Sequence, residues 1–152
     1  MNLIDCLTAQ TVEVNSTLKD PELILSRLVD LVLSREKIMD RETLLSQIHA
    51  REKLGSTGIG VGIAIPHVHH KGVEGLHVAM MTVPAGIDFH AIDDQPCTVF
   101  VIVAGPSNNR EEYLRLLGEI SRVLRTDRTR NAVLAAKTPE ELLKTLRELK
   151  KD

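Results

Sequence analysis

Cys97 to Ala104 (CTVFVIVA) holds a single polar side chain, Thr98, and is otherwise apolar and rich in β-branched residues. Such a run is short for a helix and has no polar face to offer water, so it reads as a central strand buried on both sides. A strand of that kind needs cover above and below, which commits the chain to a sheet sandwiched between other layers. A second run, Leu76 to Val83 (LHVAMMTV), reads as a neighbouring strand. The segment between them, PAGIDFHAIDDQP, has turn residues at both ends and reads as an irregular connection with a short strand at Ile87-Asp88-Phe89.

Helical patterns on both sides supply the cover. Asp20 is an N-cap with Pro21 at the first helical position, where proline's missing N–H is not needed. The helix is expected to run to about Arg35, with Ile24, Leu28, Leu31 and Val32 as its stripe, joined by Leu25 and Val29. Asp40 opens a second helix with Leu44, Leu45 and Ile48 on one face and Gly55 as a stop after Leu54. Beyond the breaker Gly105-Pro106-Ser107-Asn108-Asn109, a helix from about Arg110 to Leu124 places Tyr113, Leu117, Ile120 and Leu124 together. Asp127 is expected to cap a short helix through Ala136. Thr138-Pro139-Glu140-Glu141 has capping-box form ahead of Leu142, Leu143, Leu146 and Leu149. A β-branched alternation, Thr11 to Val14, stands near the start. With no repeat or linker, the order predicts one α/β domain over residues 1–152, a mixed sheet flanked by helices without strict βαβ alternation.

Composition excludes several classes of function. Tyr113, Phe89 and Phe100 are the only aromatics, so the core is aliphatic and stacking platforms for single-stranded nucleic acid are missing. Lys plus Arg number 19 and Asp plus Glu 21, a net charge of −2 with no long basic block, which argues against a general binder of nucleic acid or anionic membrane. Cys6 and Cys97 are too far apart for a CxxC motif and too few for a disulfide framework. No leader pattern or stretch of 18 apolar residues is present, so a cytoplasmic location without membrane insertion is expected.

The segment from Gly55 to His67, GSTGIGVGIAIPH, is the most unusual. Its glycines at 55, 58, 60 and 62 permit close backbone approach and positive φ, and Ser56 and Thr57 add hydroxyl donors, which suits an anion. The pattern is neither a P-loop nor a dinucleotide fingerprint. Val61, Ile63 and Ile65 alternate as one face of a strand that Pro66 is expected to end, leaving His67 at its C-terminal edge. A neutral imidazole there can act as a nucleophile or simply bond strand backbone, and spacing leaves both readings open. His69 and His70 are read as exposed loop residues; with His49, His77, His90 and the cysteines they show no compact metal-ligand spacing, and no metal is expected. Arg51, at the end of the second helix, can offer a guanidinium fork to a phosphoryl group or bond the last helical carbonyls.

The stretch Arg51-Glu52-Lys53-Leu54-Gly55-Ser56-Thr57-Gly58-Ile59-Gly60, followed by Gly62-Ile63-Ala64-Ile65-Pro66-His67, resembles the type 2 enzyme IIA domains of the bacterial phosphoenolpyruvate-dependent phosphotransferase system. Ile87 to Pro96 is similar to a further segment of that family, and the resemblance spans essentially the whole chain. It implies a mixed, mainly parallel sheet flanked by helices, with His67 as phosphoacceptor from an HPr-type phosphohistidine and Arg51 beside it. It implies no cofactor, neither magnesium nor nucleotide. A loose, metaphosphate-like transfer asks chiefly for alignment and charge stabilisation, and Arg51 with the groups of Ser56, Thr57, Gly58 and Gly60 are the expected stabilisers. Two positions depart from the family: Tyr113 stands where a second histidine is frequent, and Val68 where glycine is. A phenol can donate to a phosphoryl oxygen or to imidazole, or can pack with Leu117, but carries no charge at neutral pH, so onward transfer is expected to slow while phosphorylation survives. The wording is closest to the nitrogen-regulatory branch, implying a regulatory phosphocarrier acting on a target protein. A transport component passing phosphate to a IIB cysteine, or a non-transferring interaction module, are the alternatives.

Overall fold

The computed structural model describes residues 2–150, so Met1, Lys151 and Asp152 of the expected domain lie outside the described residues. In chain order the elements are α1 (Leu3–Cys6), β1 (Val12–Glu13), α2 (Pro21–Leu33), α3 (Arg41–Lys53), β2 (Gly58–Gly60), β3 (Ile63–Ala64), β4 (His67–His70), β5 (His77–Ile87), β6 (Cys97–Pro106), α4 (Arg110–Arg125), α5 (Asp127–Ala135) and α6 (Pro139–Lys150). The sheet runs β1-β5-β6-β3-β2, with β4 also paired to β6. It is mixed as expected: three of the five pairings are parallel, yet the longest, β5 against β6, is antiparallel. Among the described residues no helix is long and apolar enough to cross a membrane.

β6 is the buried centre. Val99 to Ala104 are each 0% exposed, which confirms the two-sided strand. Period-two alternation divides their side chains. Phe100, Ile102 and Ala104 face a layer built from α2 and α3, where Ile24, Leu28, Leu44 and Ile48 are fully buried. Val99, Val101 and Val103 face α1, α4, α5 and α6, against Leu116, Ile120, Leu124 and Leu142. Each such aliphatic side chain contributes about 1.5–3 kcal/mol by leaving water. Phe89 meets Phe100 edge to face, ring centroids 5.3 Å apart.

The helix starts follow their caps. Asp20 accepts from the Glu22 N–H at 2.9 Å and Asp40 from the Thr43 N–H at 3.1 Å. α2 ends at Leu33 rather than Arg35, where the Ser34 hydroxyl donates to the Leu31 and Gln10 carbonyls. α5 is capped by Thr126, not Asp127, because the Thr126 hydroxyl accepts the Thr129 N–H. At α6 Thr138 accepts from the Glu141 N–H, but the Glu141 carboxylate reaches the Lys137 N–H instead of closing a capping box on Thr138. On α4 Leu116 is buried with Tyr113, Ile120 and Leu124, whereas Leu117 is only partly buried.

Three strand expectations are corrected. Ile87 closes β5, paired with Cys97 after a register shift, and Asp88-Phe89 form no strand. The glycine segment is a β-hairpin: β2 pairs antiparallel with β3 through a turn at Val61 and Gly62, whose φ values are 50° and 82°. Val61 therefore points to solvent and does not share a face with Ile63 and Ile65, which are buried. Pro66 interrupts the edge without ending it, since its carbonyl accepts the Val103 N–H at 3.0 Å and pairing resumes at His67 opposite Val103.

The hairpin turn is held by a carboxylate of the chain itself. Asp93 accepts the Val61 N–H at 2.9 Å and the Gln95 N–H at 3.1 Å, and these bonds lower its pKa below the usual carboxylate value. Its stabilising contribution is thus present above the ordinary carboxylate pKa and is lost as pH falls through the lowered folded value. A β-branched residue at positive φ is strained. Val61→Asn is expected to raise unfolding stability by about 1 kcal/mol. By contrast, a Cβ at Gly58 would stand 2.8 Å from the Ala91 Cβ and 2.9 Å from its Cα, so Gly58→Ala is expected to lose about 1–3 kcal/mol. Urea denaturation midpoints of the two variants, moving in opposite directions from the parent, check both.

Candidate functional site

β4 lies beside β6 and has no second strand on its other side among the described residues. Two helices from opposite layers converge there. The C-terminal half of α3 packs against β4, and α4, which leaves β6 through the turn at residues 107–109, brings its first two turns to the same edge. An open cleft of about 490 Å³ results, with His67 and His69 on its floor, Arg51 and Leu54 on the α3 side, and Tyr113 and Arg110 on the α4 side. The structure thereby brings together three of the residues singled out in the sequence, His67, Arg51 and Tyr113.

His67 is half-buried, and its Nδ1 lies 2.6 Å from the Ile65 carbonyl oxygen. A carbonyl only accepts, so Nδ1 carries the ring proton and Nε2 keeps a free lone pair. Burial pushes the His67 pKa below the ordinary histidine value; the Ile65 carbonyl opposes this by favouring the charged ring, and the Arg51 and His69 charges lower it further. The outcome is a neutral imidazole at pH 7 with one nucleophilic nitrogen. One of the two readings of His67 left open by spacing is met, since one ring nitrogen bonds backbone, and the other nitrogen faces no hydrogen-bond partner among the described residues.

Arg51 bonds a carbonyl just beyond the end of α3 and also faces the cleft. Its Nη1 donates to the Gly55 carbonyl at 2.9 Å, closing the last turn of α3, while the side chain lines the cleft and its charge acts on both His67 and Tyr113. Tyr113 is 3% exposed, its ring centroid 6.2 Å from that of His67 and 5.6 Å from that of His69, the latter edge-on. Its hydroxyl is buried without a hydrogen-bond partner, and burial pushes its pKa up to about 12, opposed by the Arg51 and Arg110 charges. The phenol is therefore neutral across the physiological range. Arg110, at the first position of α4, escaped the sequence reading; its signal is the i, i+3 spacing to Tyr113, which puts both on one helix face.

Four expected stabilisers sit elsewhere. Ser56, Thr57, Gly58 and Gly60 do not line the His67 cleft. The Ser56 hydroxyl donates to the Phe89 carbonyl and accepts the Gly58 N–H, Thr57 bonds Glu52, Gly58 packs on Ala91, and Gly60 faces Asp93. The physical reason is the hairpin, which spends these groups on its own closure and already holds an anion, the Asp93 carboxylate. His69 and His70 belong to β4 and not to a loop. Burial raises the pKa of both Cys6 and Cys97 to about 11, so neither is poised as a thiolate.

The family model described as Phosphoenolpyruvate-dependent sugar phosphotransferase system, EIIA 2, matches residues 5–149. A Nitrogen regulatory protein of Pseudomonas aeruginosa is 35% identical over 119 residues, covering 78% of this chain and 77% of that one. The PTS system fructose-specific EIIA component of Haloferax volcanii is 30% identical over 152 residues, covering 98% of this chain and 99% of that one. The crystal structure of nitrogen regulatory protein IIA-Ntr from Neisseria meningitidis shares the fold at a TM-score of 0.87, with 24% identity over 94% of this chain and 97% of that chain.

The electrostatics of the cleft predict that His67 titrates below the ordinary histidine value of about 6.5. Because the Arg51 charge contributes to the lowering, Arg51→Ala is expected to move the midpoint upward. An NMR titration of the His67 ring checks both; a parent midpoint above the ordinary value, or an unmoved one in the variant, contradicts the assignment.

Proposed function

The chain belongs to the EIIA 2 family of the phosphoenolpyruvate-dependent sugar phosphotransferase system, and on that premise we propose that it is a phosphocarrier accepting a phosphoryl group on Nε2 of His67. The observation that carries this reading is the Nδ1–H bond to the Ile65 carbonyl, which leaves a neutral ring with its lone pair on the other nitrogen, beside Arg51 in an open cleft.

The donor is an HPr-type phosphohistidine. The Nε2 lone pair forms the new N–P bond as the donor's N–P bond breaks, and the released electron pair returns to the donor imidazole. Phosphorylation makes the His67 ring cationic, and the Ile65 carbonyl, already accepting from Nδ1, favours that charge. Arg51 stabilises the phosphoryl oxygens through which the loose transition state spreads its negative charge. Leu54 and Leu114, 85% and 54% exposed on opposite rims, offer apolar contact to a docking protein.

A nitrogen-regulatory role, in which the phosphorylation state controls a target protein, is supported by the 35% identity to the Pseudomonas aeruginosa protein of that name. A second reading, transfer to a IIB cysteine in sugar transport, is favoured by the nearly full-length match to a fructose-specific EIIA component. Tyr113 weighs toward the first, because a phenol with so high a pKa neither gains nor releases a proton near neutral pH and so supplies no charge to onward transfer.

Incubation with phosphoenolpyruvate, enzyme I and HPr is expected to yield an acid-labile, base-stable phosphoprotein, with no label on His67→Ala. Arg51→Ala is expected to slow labelling by about 10²–10³-fold, the usual loss of one oxyanion-stabilising donor. An unlabelled parent, or a labelled His67→Ala chain, overturns the reading. Tyr113→His is expected to speed discharge to a IIB acceptor while leaving uptake unchanged; equal discharge rates in quenched-flow assays would show that the phenol is not what limits onward transfer.

A further inference from the structure

Glu52 and Thr57 stand outside the cleft and touch none of the reacting atoms, yet they begin a continuous set of hydrogen bonds that ends on the imidazole. Glu52 follows Arg51 in the last turn of α3 and points to the hairpin side, where its half-buried carboxylate accepts both the backbone N–H of Thr57, at 3.3 Å, and the Thr57 hydroxyl, in a short bond. Thr57 is 3% exposed. Its carbonyl accepts the Ile65 N–H at 3.0 Å, and the Ile65 carbonyl accepts the His67 Nδ1–H at 2.6 Å.

The segment those bonds pin lies between two strands. β3 stops at Ala64 and β4 starts at His67, so Ile65 and Pro66 lie in the gap, and proline has no N–H to give. The Ile65 N–H therefore depends on Thr57, while the Pro66 carbonyl is held from the other side by Val103. A half-buried carboxylate is costly unless it is well bonded. Here burial pushes the Glu52 pKa up and the two Thr57 bonds push it back, so the carboxylate stays in place through Thr57.

We propose that Glu52 and Thr57 are positioning residues for His67: by fixing the hairpin to the last turn of α3 they aim the Ile65 carbonyl at Nδ1, and so select the ring tautomer that leaves Nε2 free beside Arg51. The same clamp ties the helix turn bearing the guanidinium to the backbone bearing the nucleophile, so both sides of the cleft share one frame. The consequence for transfer rests on the reading of His67 as phosphoacceptor; the consequence for the tautomer does not. This places Thr57 in the site through the backbone and not as a ligand of the phosphoryl group.

The test uses the full chain with ¹⁵N-labelled histidine and reads the His67 nitrogen shifts in the unphosphorylated protein, then the labelling rate by HPr as a function of HPr concentration. The parent is expected to hold the Nδ1–H tautomer. Thr57→Val removes only the hydroxyl bond, and Glu52→Ala removes both bonds; each is expected to give a mixture of tautomers. Both are expected to slow labelling at saturating HPr by about tenfold, a loss in line with a small misplacement of a reacting group, with half-saturation unchanged. Thr57→Ser is expected to restore both readouts. Variants that lose thermal stability but keep the parent tautomer would show a purely structural clamp and overturn the proposal. Should Thr57→Val fail to fold, Glu52→Ala and the milder Glu52→Gln decide on the same shifts, the parent tautomer in both overturning it. A parent with the Nδ1–H tautomer, disturbed in the variants but never phosphorylated, would sink the phosphocarrier reading and leave the positioning role standing.

Discussion

The burial of β6 on both faces is the constraint from which the rest of the molecule follows. A strand with no exposed side from Val99 to Ala104 must be covered twice, and its alternation assigns α2 and α3 to one face and α1, α4, α5 and α6 to the other. The same strand is the ruler for the site. Its register sets His67 opposite Val103, and its exit at Pro106 delivers α4 to the edge where His67 emerges. The cleft exists because helices from two opposed layers reach past an edge strand that no further strand covers among the described residues.

Within that frame the chemistry turns on a conflict at one ring. Burial disfavours charge on His67, which keeps the imidazole neutral, whereas the Ile65 carbonyl, accepting from Nδ1, favours the charged ring. A fully exposed histidine would be protonated more of the time, and a fully enclosed one could not meet a partner. The half-buried position at a sheet edge satisfies both demands, and the Arg51 guanidinium brings positive charge to the same cleft.

Much of this was legible in the residues, for identifiable reasons. Asp20 and Asp40 cap their helices as expected because capping is a local bond between a side chain and the next turn. The central strand and the helix stripes were readable because periodicity reports burial directly. The glycine segment is less legible, because the partners of its polar groups are not local. Its hydroxyls and N–H groups suit an anion, but Phe89, Ala91 and Asp93, some thirty residues away in sequence, use them to close a hairpin. Pro66 was expected to end a strand because proline lacks a donor; the pairing survived because β6 needed only the Pro66 carbonyl.

The sequence by itself determined the layers, the buried strand, the helix starts and the family motif around His67, since these depend on side-chain type and spacing over short stretches. Only the tertiary structure decided which nitrogen of His67 is free, that Arg51, Arg110 and Tyr113 share its cleft, and that Ser56, Thr57, Gly58 and Gly60 lie away from it in and around the hairpin. Those outcomes depend on hydrogen bonds and contacts between segments far apart in the chain. An imidazole does not choose its tautomer until a particular carbonyl is placed beside it, and that placement is made by the packing of α3, the hairpin and β6 around Ile65.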